Sequence, residues 1–269
     1  MRALELFKFS RRLLRGRRIS TAAVCIMPVI AELFFRFAEA AIYAMLLYFS
    51  DMKPIELFSS RNPIQLVTLI SCTLMRWTAT APFTLAAAYR LTELINGTSL
   101  TPLPALISNK SFLILSLRIT LQNKLIGTLS LIPAFFFGAV GVSLLHSAHS
   151  TGEVFLTVHA FALTVLSVMI WVSVKLTLAA VPFVIADKRD MGLWRAALTA
   201  LRILHGRKPV IVRTALLYLP PMLTVIAFPS ALTSLMTAFA LCVSIGIKEE
   251  EYIRRQSPAA QTAARKEAL

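Results

Sequence analysis

Four charged residues of this chain stand where charge is costly. Glu32, Arg36 and Glu39 lie at i, i+4 and i+7 inside an otherwise apolar run, a spacing that sets all three on one face of a helix. Arg76 stands about 13 residues into the next apolar run, roughly 20 Å along a helix, and so deep in any membrane that run crosses. An ionisable side chain at a bilayer centre costs about 2.5–3.5 kcal/mol, so such groups normally face a bundle interior or a water-filled cavity. The set supports a polar pathway or headgroup site within a bundle. It equally supports a charge-balanced clasp holding two helices together.

Both readings require spanning helices, and the composition supplies them. Of 269 residues, 57% are hydrophobic and only 15% charged, far more apolar than ordinary soluble domains. Apolar runs fall near 19–50, 63–89, 121–145, 154–186, 209–228 and 231–247, each near the roughly 20 residues that cross a bilayer. The expected fold class is all-α: a polytopic transmembrane helix bundle of about six spans, with short amphipathic interfacial helices on the cytoplasmic face. Residues 1–18 form a basic cytoplasmic arm, 19–247 the transmembrane domain and 248–269 a charged cytoplasmic tail. The first run exceeds a signal-peptide core in length and carries charge, which reads as an uncleaved anchor.

A net charge of +15 raises nucleic acid as a partner, but its distribution argues against it. Basic residues crowd beside the apolar runs, at the N-terminal arm, at 90–124, at 188–208 and in the tail, the pattern that keeps Lys and Arg on the cytoplasmic side. Six spans place all four stretches on one side, with both termini cytoplasmic. Arg11, Arg12, Arg15, Arg17 and Arg18, with Lys8, are candidates for anionic lipid headgroups, or they only set topology during insertion.

Ahead of the fifth run, "GLWRAALTALRILHGRK" reads as an interfacial helix over 192–206. Leu193, Ala197, Leu201 and Leu204 share its apolar face, Thr199 lies on the opposite one, Asp190 is its N-cap and Gly206 its stop. Trp194 then sits at headgroup depth, with Arg195, Arg202, Arg207 and Lys208 toward phosphates. "LFKFSRRLLRGRR" and "LRITLQNK" precede other runs in the same manner. Pro28, Pro133 and Pro220 each follow about ten residues later, a weak internal repeat or a shared product of topology. Pro82, Pro182 and Pro221 add further potential kinks.

"AAAYRLTELINGTSL", "LSLIPAFFFG" and above all "AAVPFVIADKRDMGLWRAALTALRILHGRKPVIV" resemble successive motifs of a bacterial integral membrane family. It is a domain-of-unknown-function family, numbered nine hundred and seventy-five. Pro182, Ile185, Ala186, Asp187, Gly206 and Lys208 match its pattern of a span ending in Ala-Asp ahead of a helix closing on Gly-x-Lys. The resemblance covers most of the chain and implies a multi-pass protein of the bacterial plasma membrane. It implies no activity.

Smaller signals carry less. His146, His149 and Glu153 share one short loop without a third fixed ligand, a poor metal cage, so no metal or cofactor is expected. Lys175 reads as snorkelling from near the end of its span. The "NGT" at Asn96 falls on the cytoplasmic side, where glycosylation does not occur. Cys25, Cys72 and Cys242 read as small buried hydrophobes. No phosphate loop, nucleophile elbow or H-E-x-x-H is present, so no enzyme is expected. Two functions remain open: a transporter-like or lipid-handling protein using the charged cluster, or a non-catalytic subunit or scaffold docking a membrane-protein partner, or a second copy, at its basic face.

Overall fold

The computed structural model describes residues 3–50, 63–147, 151–189, 191–224 and 227–256. Among these every regular element is a helix: α1 (Ala3–Leu13), α2 (Arg18–Ser50), α3 (Pro63–Asn96), α4 (Leu103–Ile107), α5 (Lys110–Leu129), α6 (Ile132–Ser147), α7 (Thr151–Asp187), α8 (Leu193–Leu204), α9 (Lys208–Met222) and α10 (Phe228–Gln256).

Four stretches are long and apolar enough to cross a membrane: Ile19–Tyr48, Lys110–His146, Val154–Asp187 and Phe228–Tyr252. The other two expected runs fall short for different reasons. In α3, Arg76 and a series of threonines (Thr68, Thr73, Thr78, Thr80, Thr84) dilute the apolar content. α9 has only 15 residues, against the roughly 20 that a crossing needs.

The third run also begins earlier than its apolar pattern suggests. Asn109 caps α5 by accepting from Ser111 N at 3.0 Å, so "LRITLQNK" is the middle of a continuous helix and not an interfacial piece. At the other end of the chain, α10 runs on through Lys248 to Gln256.

α10 is the central element, packing against α1, α2, α3, α7, α8 and α9. The core lies around its second half. There Leu85 to Leu91 of α3, Ala180 to Ala186 of α7, Ala200 to Leu204 of α8 and Ala238 to Ile247 of α10 meet. Small residues let these backbones approach closely. The tightest point is Gly246, where an added Cβ would lie 2.0 Å from Ile203 Cγ2.

α8 turns a different face to this core than its periodicity suggests. Ala196, Thr199, Ala200, Ile203 and Leu204 are buried, whereas Trp194, Leu198 and Leu201 are exposed. Packing against α7 and α10 favours the small side chains, so Thr199 goes inside and Leu201 stays out. Asp190 lies outside the described residues, and α8 begins after Gly192 with no side-chain cap. Gly206, at φ +75°, turns α8 into α9, and Gly16, at φ +86°, turns α1 into α2 in the same way.

Candidate functional site

α2 and α3 run antiparallel, residue 39 meeting residue 76 while residues 28–32 share a cavity with 80–85. The helical spacing of Glu32, Arg36 and Glu39 therefore presents all three toward one stretch of α3. Arg76 Nη1 donates to Glu39 Oε2 at 2.9 Å, and its Nε lies 3.4 Å from Glu32 Oε1. Arg36 Nε lies 3.3 Å from that same Glu32 oxygen. The four residues thus form one network, graded in depth. Arg76 and Glu39 are 12% and 16% exposed, Glu32 29% and Arg36 61%.

Beside Glu32 opens a cavity of about 350 Å³ between α2, α3, α5 and α7. Its wall carries Thr80, Thr84, Ser116, Thr120, Asn123 and Lys124, with Pro28 and Pro182. A second cavity of about 450 Å³ shares Thr84, Asn123, Lys124 and Pro182 with the first and extends past Lys175 to α9 and α10. Proline explains one polar contact there. Pro182 has no N–H, which frees the carbonyl of Leu178 four residues earlier, and Asn123 Nδ2 donates to that oxygen at 3.0 Å. Asn123 Oδ1 is left buried without a hydrogen-bond partner.

Sequence reasoning did not connect Asn123, Lys124 or the hydroxyl wall to the charged cluster. Lys124 read as the end of a basic loop because α5 was expected to start near residue 121. Lys175, read as snorkelling near a span end, stands about 18 Å before the end of α7 at Asp187 and lines the larger cavity. Its ammonium lies 5.7 Å from the Trp171 ring centre, and Trp171 Nε1 donates to Gly127 O at 3.0 Å. The available signal was position for Lys175, which stands 12 residues before Asp187 within a long uncharged run; Lys124, preceded by Arg118, Gln122 and Asn123, carried no such signal.

The basic residues of the other sites divide into two groups. Arg11, Arg12, Arg15 and Arg17 are exposed on and after α1, which is pinned to α9 by Ser10 and Tyr218 at 2.7 Å. The side chain of Arg18 lies outside the described set. Trp194 and Arg195 are likewise exposed.

Several others are already engaged. Three successive acids on α10 take up cations: Lys188 meets Glu251 at 2.8 Å, Arg202 approaches Glu250 at 3.8 Å and Arg207 pairs with Glu249. Arg207 also donates to Cys242 O at 3.3 Å, and Lys208 donates to Ser173. This acidic triplet went unnoticed in the sequence because the surrounding tail is basic. Asp187 accepts from Asn96 at 3.0 Å, tying the ends of α3 and α7, and Ala186 is buried beside it.

His149 lies outside the described residues, as does the side chain of Glu153. No group of three His, Cys, Asp or Glu placed to hold a metal occurs among the described residues. No protein-family model, curated protein or solved structure matches the chain.

Proposed function

We propose that this chain is a multi-pass integral membrane protein, transporter-like or lipid-handling, that receives a small or amphiphilic molecule in the cavity beside Glu32. The observation that carries this reading is the cavity itself. A space of about 350 Å³, within the roughly 300–1,000 Å³ of small-molecule sites, is lined by Glu32, Lys124, an amide and four hydroxyls, although three of its four helices are apolar enough to span. A clasp alone explains Arg76 between Glu32 and Glu39. It does not explain Thr80, Thr120, Ser116 and Asn123 gathered around open space.

With α3 and α9 added to the four long apolar stretches, six elements enter the bilayer. α9, about 22 Å long, reaches only part of the way. An α9–α10 hairpin that enters and leaves by one face keeps both basic ends on the cytoplasmic side, in line with the distribution of Lys and Arg. The bacterial plasma membrane as the setting, and membership of the domain-of-unknown-function family, rest on the motif resemblance. The scaffold reading has less to draw on, because Lys188, Arg202 and Arg207 already meet acids of α10.

Native mass spectrometry of the protein extracted with its own lipids tests the proposal. A molecule bound at fixed stoichiometry should be lost when Thr120→Trp fills the cavity. A bare chain, or a ligand indifferent to that substitution, would refute the site, and a second protein at constant ratio would favour the scaffold.

A further inference from the structure

Resting on that reading, we propose that the larger cavity takes the anionic head of a single-chain amphiphile between Lys124 and Lys175, with its chain along α7, α9 and α10. The argument begins with charge. Glu32 and Glu39 are committed to Arg76 and Arg36. Lys124 lines the smaller cavity together with Glu32 and the larger one together with Lys175. Among the described residues neither lysine makes an ion pair, so four cations share two carboxylates. Clustered like charges in a low-dielectric region repel strongly, and a bound anion relieves that repulsion.

The cavity's shape supplies the second half. Apart from Thr84, Asn123 and the two lysines its wall is apolar, with Leu176, Phe183, Ile211, Leu235, Met236 and Phe239 among its residues. A free inorganic anion would leave that surface wet, whereas an alkyl chain covers it. Thr84 and Ala179 on the wall are exposed, so the cavity is open to the outside of the bundle. Entry from the lipid phase requires such an opening.

Trp171, stacked near Lys175, provides the readout. The chain has three tryptophans, so Trp77→Phe with Trp194→Phe leaves Trp171 as the only one. The full chain in maltoside micelles is titrated with 2-bromoundecanoate, above its carboxylate pKa, and with 2-bromoundecanol, so that in each probe the quenching bromine sits beside the head and near Trp171. The carboxylate should quench at about tenfold lower concentration than the alcohol. Lys124→Gln with Lys175→Gln should abolish that preference and leave the alcohol curve unchanged, which also reports an intact fold.

Equal quenching by the two probes overturns the anion inference but leaves the cavity reading standing. A preference that survives in the double variant does the same. If neither probe quenches, the larger cavity admits no chain and this inference falls, while the Thr120→Trp test decides the cavity beside Glu32 on its own. Displacement of bromoundecanoate by millimolar inorganic phosphate would make the ligand a free anion and overturn the amphiphile.

Discussion

The most apolar 18-residue windows of α10 and α2 have nearly the same mean hydropathy, 1.8 and 1.7, yet their surroundings differ sharply. Two thirds of the best 18-residue window of α10 is buried (67%), against 11% for that of α2. The difference lies in side-chain size. α10 presents Ala231, Ser234, Ala238, Ala240 and Gly246 to its neighbours, whereas α2 turns Phe34, Phe37 and Met45 outward. Where apolar residues gain nothing by leaving lipid, close backbone approach through small residues decides which helix becomes the centre. In the proposed membrane setting, α2 is held chiefly by its charges and α10 by its fit.

The sharpest test of this contrast is Arg76→Leu, which strips Glu39 and Glu32 of their shared partner. Breaking such a pair costs about 3–5 kcal/mol, seen as a large drop in the thermal midpoint in detergent. Adding Glu39→Gln should restore part of the loss. Strict additivity of the two changes would mean that α2 is not held through this pair.

Next come two glycines, one in α10 and one in α6, whose stretch Lys110–His146 is sparsely buried as α2 is. Gly246→Ala drives a Cβ into Ile203 and toward Arg207 Nη1 at 2.8 Å, an overpacking of about 1–3 kcal/mol. Gly138→Ala in α6 meets nothing nearer than Thr164 Cγ2 at 3.7 Å and should be neutral, or stabilising by about 0.5–1 kcal/mol through helix propensity. Similar losses from both would erase the distinction between the regions. Gly206→Ala, forced to φ +75°, should cost about 1–2 kcal/mol by the same melting assay, and normal stability would show that the α8–α9 turn can readjust. The smallest effect belongs to Arg36→Ala. This outermost member of the network should contribute only about 0–1 kcal/mol, and a larger drop would extend the rigid clasp outward.

The helices were readable from the sequence wherever apolar runs are long, as at α2 and α7. The cluster of Glu32, Arg36, Glu39 and Arg76 was readable too, because one helical face collects all three α2 members opposite any antiparallel neighbour. Hydropathy alone did not show that α9 stops at Met222 or that α5 starts at Lys110, since a local cap and a proline pair decide those ends. Nor does period alone fix the face of α8. Ala196, Thr199 and Ala200 win the core by being small, a criterion of fit against α7 and α10 that no single helix displays. Asn123 and the lysines stayed hidden for a related reason: their role appears only where α5, α7 and α3 converge.

Asn123 precedes its acceptor, Leu178, by 55 residues, and that order matters during synthesis. If the chain is inserted from its N-terminus, α5 is already in the membrane when the ribosome delivers α7. The carbonyl exposed by Pro182 then meets a donor in place and need not wait bare among acyl tails. A rearranged gene that encodes α7 ahead of α5 would specify the same contacts while inverting that order, and the nascent α7 would become a substrate for membrane quality control.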